Sequence, residues 1–167
     1  MAHHTPESLL ALLEAMGIAT TTVRHAPAFT VADVQKFHDG ALPDATNVKN
    51  LFLKDAKEQL WLVSAPFERR IDLKTLPLKI GAKRVSFGKP ELLMETLGVI
   101  PGAVTPFAPV NDTARRVRTV LDAAMMATPY LNCHPLANDR TTRIASADLV
   151  RFLTVHHQAP DIVDLAN

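Results

Sequence analysis

Lys49-Asn50-Leu51-Phe52-Leu53-Lys54-Asp55 is the stretch on which the reading of this chain turns. Apolar residues between polar ends predict a buried strand from Val48 to Lys54, with Lys49 and Asn50 at its entry. A second strand, Gln59 to Ser64, follows the polar Asp55-Ala56-Lys57-Glu58, so the two predict a hairpin. A lysine and an asparagine at the mouth of such a strand have structural support and still reach solvent.

Working outward, Thr5-Pro6-Glu7 opens a helix: a hydroxyl cap, proline in the first turn, and an acid at the positive end of the dipole. Leu9, Leu10, Leu12, Leu13 and Met16 form its apolar stripe, and Gly17 ends it. Thr20 to Arg24 is β-branched and predicts a strand. Ala32 to Phe37 predicts a short helix, followed by a loop from Asp39 to Thr46. Asp72 caps a helix ending at Gly81, Val85 to Phe87 is a brief strand, and Pro90 to Leu97 is a helix stopped by Gly98. Val117 to Leu121, Tyr130 to Cys133 and Thr141 to Ala145 read as strands, and Ser146 as the cap of a last helix through Val155. Strands and helices without a regular βαβ rhythm predict an α+β fold, one domain over residues 1–167 around a mixed sheet.

Composition bounds the function. The chain has 167 residues, is 47% apolar and carries a net charge of +1. That suits one core and excludes a strongly basic nucleic-acid coat protein, although transient contact with phosphates needs only a local basic surface. Lys74, Lys79, Lys83, Arg84 and Lys89 form one basic cluster and Arg115, Arg116 and Arg118 another; either, taken alone, reads as a solvated face. No apolar run reaches the roughly 20 residues of a membrane span, and no basic segment followed by an apolar run marks a secretory signal. The single cysteine, Cys133, leaves no internal disulfide framework. A cytoplasmic location is expected.

Two further segments carry chemistry, Pro101-Gly102-Ala103-Val104-Thr105-Pro106-Phe107 and Asn132-Cys133-His134-Pro135. Glycine permits close backbone approach and unusual dihedrals, and prolines stiffen a turn and leave particular N–H groups outward, where they can stabilise an oxyanion. A rigid connecting loop would use the same residues. His134 titrates near neutrality and can orient an amine or a hydroxyl. Cys133 is its strand neighbour and points to the other face, so the two do not make a nucleophilic pair, and Cys133 reads as core. His156 and His157 project about 100° apart on a helix and lack a third ligand, so no metal site is expected there.

In this order, the Lys-Asn strand, the Gly-x-x-x-Pro loop and the Asn-x-His-Pro segment resemble the prolyl-tRNA-editing family (the YbaK-like domains), most closely its freestanding alanyl-tRNA(Pro) deacylase branch. The likeness runs from about Phe29 to Leu165 and includes Asp72-Leu73-Lys74, Val85-Ser86-Phe87, Asn111-Asp112 and Val120-Leu121-Asp122. It implies a curved mixed sheet flanked by helices and hydrolysis of a mischarged aminoacyl ester, without cofactor or metal. It assigns catalytic positions to Lys49, Asn50, Gly102 and His134, and substrate contacts to Phe29, Val31, Ala103, Val104, Thr105 and Pro106. His25 and His38 lie near that pocket without an assigned role. The implied partner is tRNA(Pro) charged with alanine, with transient contact to prolyl-tRNA synthetase or an elongation factor. Cysteinyl-tRNA(Pro) or another aminoacyl-tRNA, and a non-catalytic tRNA-binding module, are the alternatives. The chain departs from the family pattern at Asn47-Val48, where His-Thr is usual, and between Phe37 and Ala45.

Overall fold

A computed structural model describes residues 3–27, 42 and 44–166. The expected helix Ala32 to Phe37, most of the loop after it, and Phe29, Val31 and His38 lie outside the described residues. Among the described residues no helix is long and apolar enough to cross a membrane.

The hairpin forms as expected and extends further. Strands β2 (Thr46–Asp55) and β3 (Leu60–Pro66) pair antiparallel, with Lys49 opposite Ala65 and Asn50 opposite Ser64. Asp55 holds the turn: its carboxylate accepts from Lys57 N, Gln59 N and the Trp61 indole N–H. The other strands are β1 (Thr20–Arg24), β4 (Val85–Phe87), β5 (Val117–Asp122), β6 (Tyr130–Cys133), β7 (Arg140–Ala145) and β8 (Asp161–Val163). They form one mixed sheet in the order β1-β7-β6-β2-β3-β5-β8, with β4 also on β2. The pairs β2–β6, β3–β5 and β5–β8 are parallel and the rest antiparallel. Strand β8, which joins the sheet by parallel pairing with β5, has no counterpart in the sequence reading.

Both faces of the hairpin are covered, which is why β3 is apolar almost throughout. Val48, Phe52, Leu60 and Leu62 join the larger core with α1 (Pro6–Ala15), α3 (Pro90–Leu97) and α5 (Ser146–His156). Leu53, Trp61, Val63 and Ala65 face a smaller cluster around α2 (Leu76–Ile80). Thr5 caps α1 in a reciprocal box with Ser8, and Gly81 and Gly98 end α2 and α3 in the left-handed conformation. Ser146 is a correction: it is the first residue of α5 rather than its cap, and its hydroxyl donates to Thr128 O. Asp122 instead caps the short α4 (Ala123–Met126) and takes an ion pair from Arg69 at 2.8 Å.

Asn111 and Asp112 are structural ties. Asn111 donates to Leu97 O at the end of α3 and accepts from His4 N. Asp112 accepts from Arg116 N and Val117 N and lies 2.9 Å from His157 Nε2, with both side chains 2% exposed. Burial pushes the Asp112 pKa up, but His157 and the two N–H groups outweigh it and hold the carboxyl below its ordinary 3.8. The contact fastens the end of α5 to the start of β5. Asp112→Ala should cost about 3–5 kcal/mol, because it leaves His157 buried without its partner. In the wild type this stabilisation should be present above pH 3.8 and fade as pH falls through the depressed value, which urea unfolding at several pH values would read.

Candidate functional site

Adjacent residues of a strand point to opposite faces, and β2 turns that rule into a division of labour. Val48, Asn50 and Phe52 face the larger core; Asn47, Lys49, Leu51 and Leu53 face the other side. The two residues at the strand's mouth therefore serve different surroundings.

Asn50 faces the glycine loop. Its amide donates to Val104 O at 3.0 Å, and its own carbonyl oxygen accepts the Ser64 hydroxyl from β3. The loop is a single turn of 3-10 helix, Pro101–Ala103, running into a second at Ala108–Asn111. Ala103, Phe107 and Ala108 anchor it in the larger core, and Val104 packs against that core. Ala103 N donates to Ile100 O and Phe107 N to the Thr105 hydroxyl, so these two N–H groups stay within the loop. Gly102 is not among the glycines with positive φ, which among the described residues are Gly17, Gly81 and Gly98. The unusual dihedral expected of Gly102 is absent, and close approach is what remains to explain a glycine there.

Lys49 faces the other way. Burial holds its ammonium below the ordinary lysine value of 10.5; Arg69 pushes in the same direction and Glu68 opposes. The parallel register of β2 and β6 sets Asn47 opposite Asn132, and the Asn132 amide donates to Asn47 Oδ1 at 2.9 Å. The paired ladder ends there: β6 stops at Cys133 and His134 follows it, while β2 runs on through Lys49, which lies on the same strand face as Asn47. Asn47 thus gains a role: its side chain ties β2 to β6 at the mouth of the strand that carries Lys49.

His134 is half-buried just beyond β6, and its Nδ1 lies 2.9 Å from Arg140 O. A carbonyl can only accept, so Nδ1 carries the proton and Nε2 of the neutral ring is an acceptor. Burial holds the ring below the ordinary value of 6.5 and His25 adds to this, against Arg140 O and Asp139. Arg140 is itself clamped by Glu7 at 2.9 Å and Asp139 at 3.1 Å, so its carbonyl is a fixed acceptor. His25 also belongs to this face. Its ring centroid is 6.3 Å from that of His134, its Nε2 lies 2.8 Å from the Thr141 hydroxyl and its Nδ1 2.8 Å from Ala26 O. Cys133 points inward, and burial pushes its thiol up, so the inert reading of this cysteine agrees with its surroundings.

Asn50 is thus tied to the glycine loop through Val104, His134 to Arg140 O and to the neighbouring His25 ring, and Lys49 lies on the strand face opposite Asn50. Asn47, Arg140 and Thr141 hold these residues through contacts that cross strands, which sequence reasoning does not reach. Of the basic clusters, Arg116 and Arg118 pair with Glu95 and Asp161, and Lys79 bonds the carbonyls of Leu165 and Ala166. Among the described residues no three His, Cys, Asp or Glu side chains form a metal cluster.

This fold matches a known class of domain. The family model for the aminoacyl-tRNA editing domain matches residues 25–152. Prolyl-tRNA synthetase associated domain-containing protein 1 of Danio rerio is 37% identical over 153 residues, covering 90% of this chain and 82% of that one. The prolyl-tRNA editing protein ProX of Acetoanaerobium sticklandii is 32% identical over 164 residues, covering 95% and 96%. A solved structure described provisionally as a trans-editing enzyme for prolyl tRNA synthetase superposes with a TM-score of 0.73 at 18% identity, over 99% of each chain. This chain belongs to the aminoacyl-tRNA editing domain family.

The tautomer assignment gives a direct expectation. Above pH 6.5 His134 is neutral whether the chain is folded or not. As pH falls below 6.5 the unfolded chain protonates first, so stability declines progressively through the lower folded value. NMR titration of the His134 Cε1 proton should give a midpoint below 6.5, whereas a midpoint at or above it would show that burial does not govern this ring.

Proposed function

We propose that this protein is a trans-editing hydrolase that removes alanine from mischarged tRNA(Pro) by hydrolysing the aminoacyl ester. A synthetase that activates proline cannot easily exclude the smaller alanine, because missing methylenes give only about 1–3 kcal/mol of discrimination. A second enzyme with a pocket too small for proline supplies the missing selectivity. The observation that carries this reading is the Asn50–Val104 hydrogen bond, which ties the glycine loop to the mouth of β2 where Lys49 also stands. An aminoacylated tRNA end presents the matching groups: phosphate oxygens for the ammonium and a protonated α-amine for His134 Nε2. Family membership and the relatives' names, which speak of prolyl-tRNA editing, support the choice of substrate.

The reaction is attack of water on the ester carbon. The carbonyl oxygen becomes a tetrahedral oxyanion, the ribose oxygen leaves with a proton, and free alanine and uncharged tRNA result. The Gly102 to Pro106 loop supplies N–H donors for the oxyanion. With Ala103 N and Phe107 N bonded inside the loop, the candidates are Gly102, Val104 and Thr105. Asn50 acts as a positioning residue, since its amide grips the Val104 carbonyl and fixes how the loop presents those donors. Cys133 is too buried to act as a nucleophile, which favours direct hydrolysis, and the ribose hydroxyl next to the ester can assist proton transfer. Phe29 and Val31 complete the alanine pocket in this proposal.

Deacylation of alanyl-, cysteinyl- and prolyl-tRNA(Pro) by the purified protein should show turnover of the alanyl ester alone. Preferential turnover of cysteinyl-tRNA(Pro) would reassign the substrate. Lys49→Ala should lower that turnover at least a hundredfold with little change in melting temperature, because a half-buried ammonium contributes little to the core. A folded variant with wild-type turnover would take Lys49 out of the reaction.

Gly102 gives a sharper test. Its turn is right-handed, so alanine fits the backbone without strain and should leave the melting temperature unchanged. If the loop approaches the ester closely, Gly102→Ala should slow the single-turnover rate at least tenfold while leaving tRNA affinity, which comes from phosphate contacts, almost intact. An undiminished rate would show that this loop does not bind the carbonyl.

A further inference from the structure

The strand face of β2 that carries Asn47 and Lys49 continues through Asn132 on β6 to a stacked pair on β6 and β7. Arg143 lies directly opposite Asn132, and its guanidinium carbon sits 4.0 Å from the centroid of the Tyr130 ring. The two line a hollow of about 230 Å³ with Ala19, Thr20, Thr21 and Ala145. Tyr130 remains 38% exposed.

The arginines divide in charge pairing, and Arg24, Arg70, Arg84 and Arg115 stand with Arg143 in having no carboxylate within ion-pair distance among the described residues. Arg69, Arg116, Arg118, Arg140 and Arg151 each lie against a carboxylate. Arg143 is half-buried and, among the described residues, has no carboxylate within ion-pair distance. A guanidinium flattened on an aromatic ring keeps its outer face and its edge donors available, the first for a second planar group and the second for phosphate. Nucleobases are planar, and every nucleotide brings a phosphate. Stacking on aromatic and arginine planes is how proteins hold unpaired bases, whose faces a duplex would hide.

Distance fits as well. His134 lies two residues past Asn132 on the chain and four past Tyr130, so the stacked pair sits roughly 7–13 Å from His134 along the strand direction at about 3.3 Å per residue. That is the reach of one or two nucleotides of extended single strand.

We infer that Tyr130 and Arg143 form a stacking platform for an unpaired base one or two nucleotides inside the terminal adenosine of the aminoacylated strand. The inference rests on the tRNA-ester reading above. The platform grips the strand while its end lies beside Lys49 and His134, so it governs binding and leaves the chemical step alone. Recognition is by ring plane and phosphate, so it tolerates any base.

The test uses the full-length protein with alanyl-tRNA(Pro) carrying 2-aminopurine at either of the two positions next to the terminal adenosine. Wild type should quench the fluorophore at one of them. Tyr130→Ala and Arg143→Gln should each abolish the quenching and raise KM about tenfold, with kcat at saturation unchanged. Tyr130→Phe keeps the ring and should behave as wild type, which separates lost stacking from misfolding. Wild-type quenching and KM in both Tyr130→Ala and Arg143→Gln would overturn the platform while the deacylase reading stands. A fall in kcat at unchanged KM would also overturn it, by making the pair part of the chemistry. If the wild-type protein hydrolyses no aminoacyl-tRNA, the deacylase reading falls first and the platform with it.

Discussion

Two residues that are neighbours on an extended strand cannot face the same way, and the arrangement at the mouth of β2 follows from that constraint. Lys49 is turned toward the polar face shared with β6, β7 and β1, and Asn50 toward the larger core and the glycine loop. A one-residue slip of β2 against β3 would exchange them, sending the lysine into the core and leaving Val104 O without its donor. The slip is opposed from several directions at once. Phe52 and Leu53 are buried on opposite faces, Asp55 pins the turn by three hydrogen bonds, and Asn47 is held by Asn132. Burying both faces of the hairpin is what makes its register, and with it the placement of two polar side chains, insensitive to local change.

The polar face is held by groups that meet across strands. Arg140 bridges Glu7 in α1 and its neighbour Asp139, and its carbonyl fixes the tautomer of His134. Asn132 is almost fully buried and holds Asn47 through its amide. Amide and carbonyl partners suit this purpose. They fix orientation by neutral hydrogen bonds and add no carboxylate of their own to the surroundings of Lys49, where Glu68 already acts. Burial has a different consequence for each titrating group: it keeps His134 neutral and an acceptor, while Lys49 holds its proton less tightly than a solvated lysine.

Much of the architecture was legible in local pattern. Strands β1 and β6 and helix α3 occupy the residues that β-branching, alternation and the Pro90 and Gly98 signals mark out, because those signals act within a few residues. The hairpin followed from two apolar runs and a polar turn. Cys133 inward and His134 outward follow from the period of two. Ser146 misled because the hydroxyl that suits a cap bonds the Thr128 carbonyl instead. Asn111 and Asp112 stood out as a motif, yet their partners Leu97, His4 and His157 are distant in sequence, so their structural role stayed hidden.

By itself the sequence determined the elements, the α+β class, the resemblance to editing domains and the residue types that could do the chemistry, since each depends on composition and near-neighbour spacing. Tertiary structure decided which of those residues work together. The parallel pairing of β2 with β6 set Asn47 beside Asn132, the fold of the glycine loop brought Val104 to Asn50, and the pairing of β6 with β7 laid Arg143 on Tyr130. Each joins segments far apart in the chain, and strand partners are chosen by the burial of whole faces, so no local pattern could announce them.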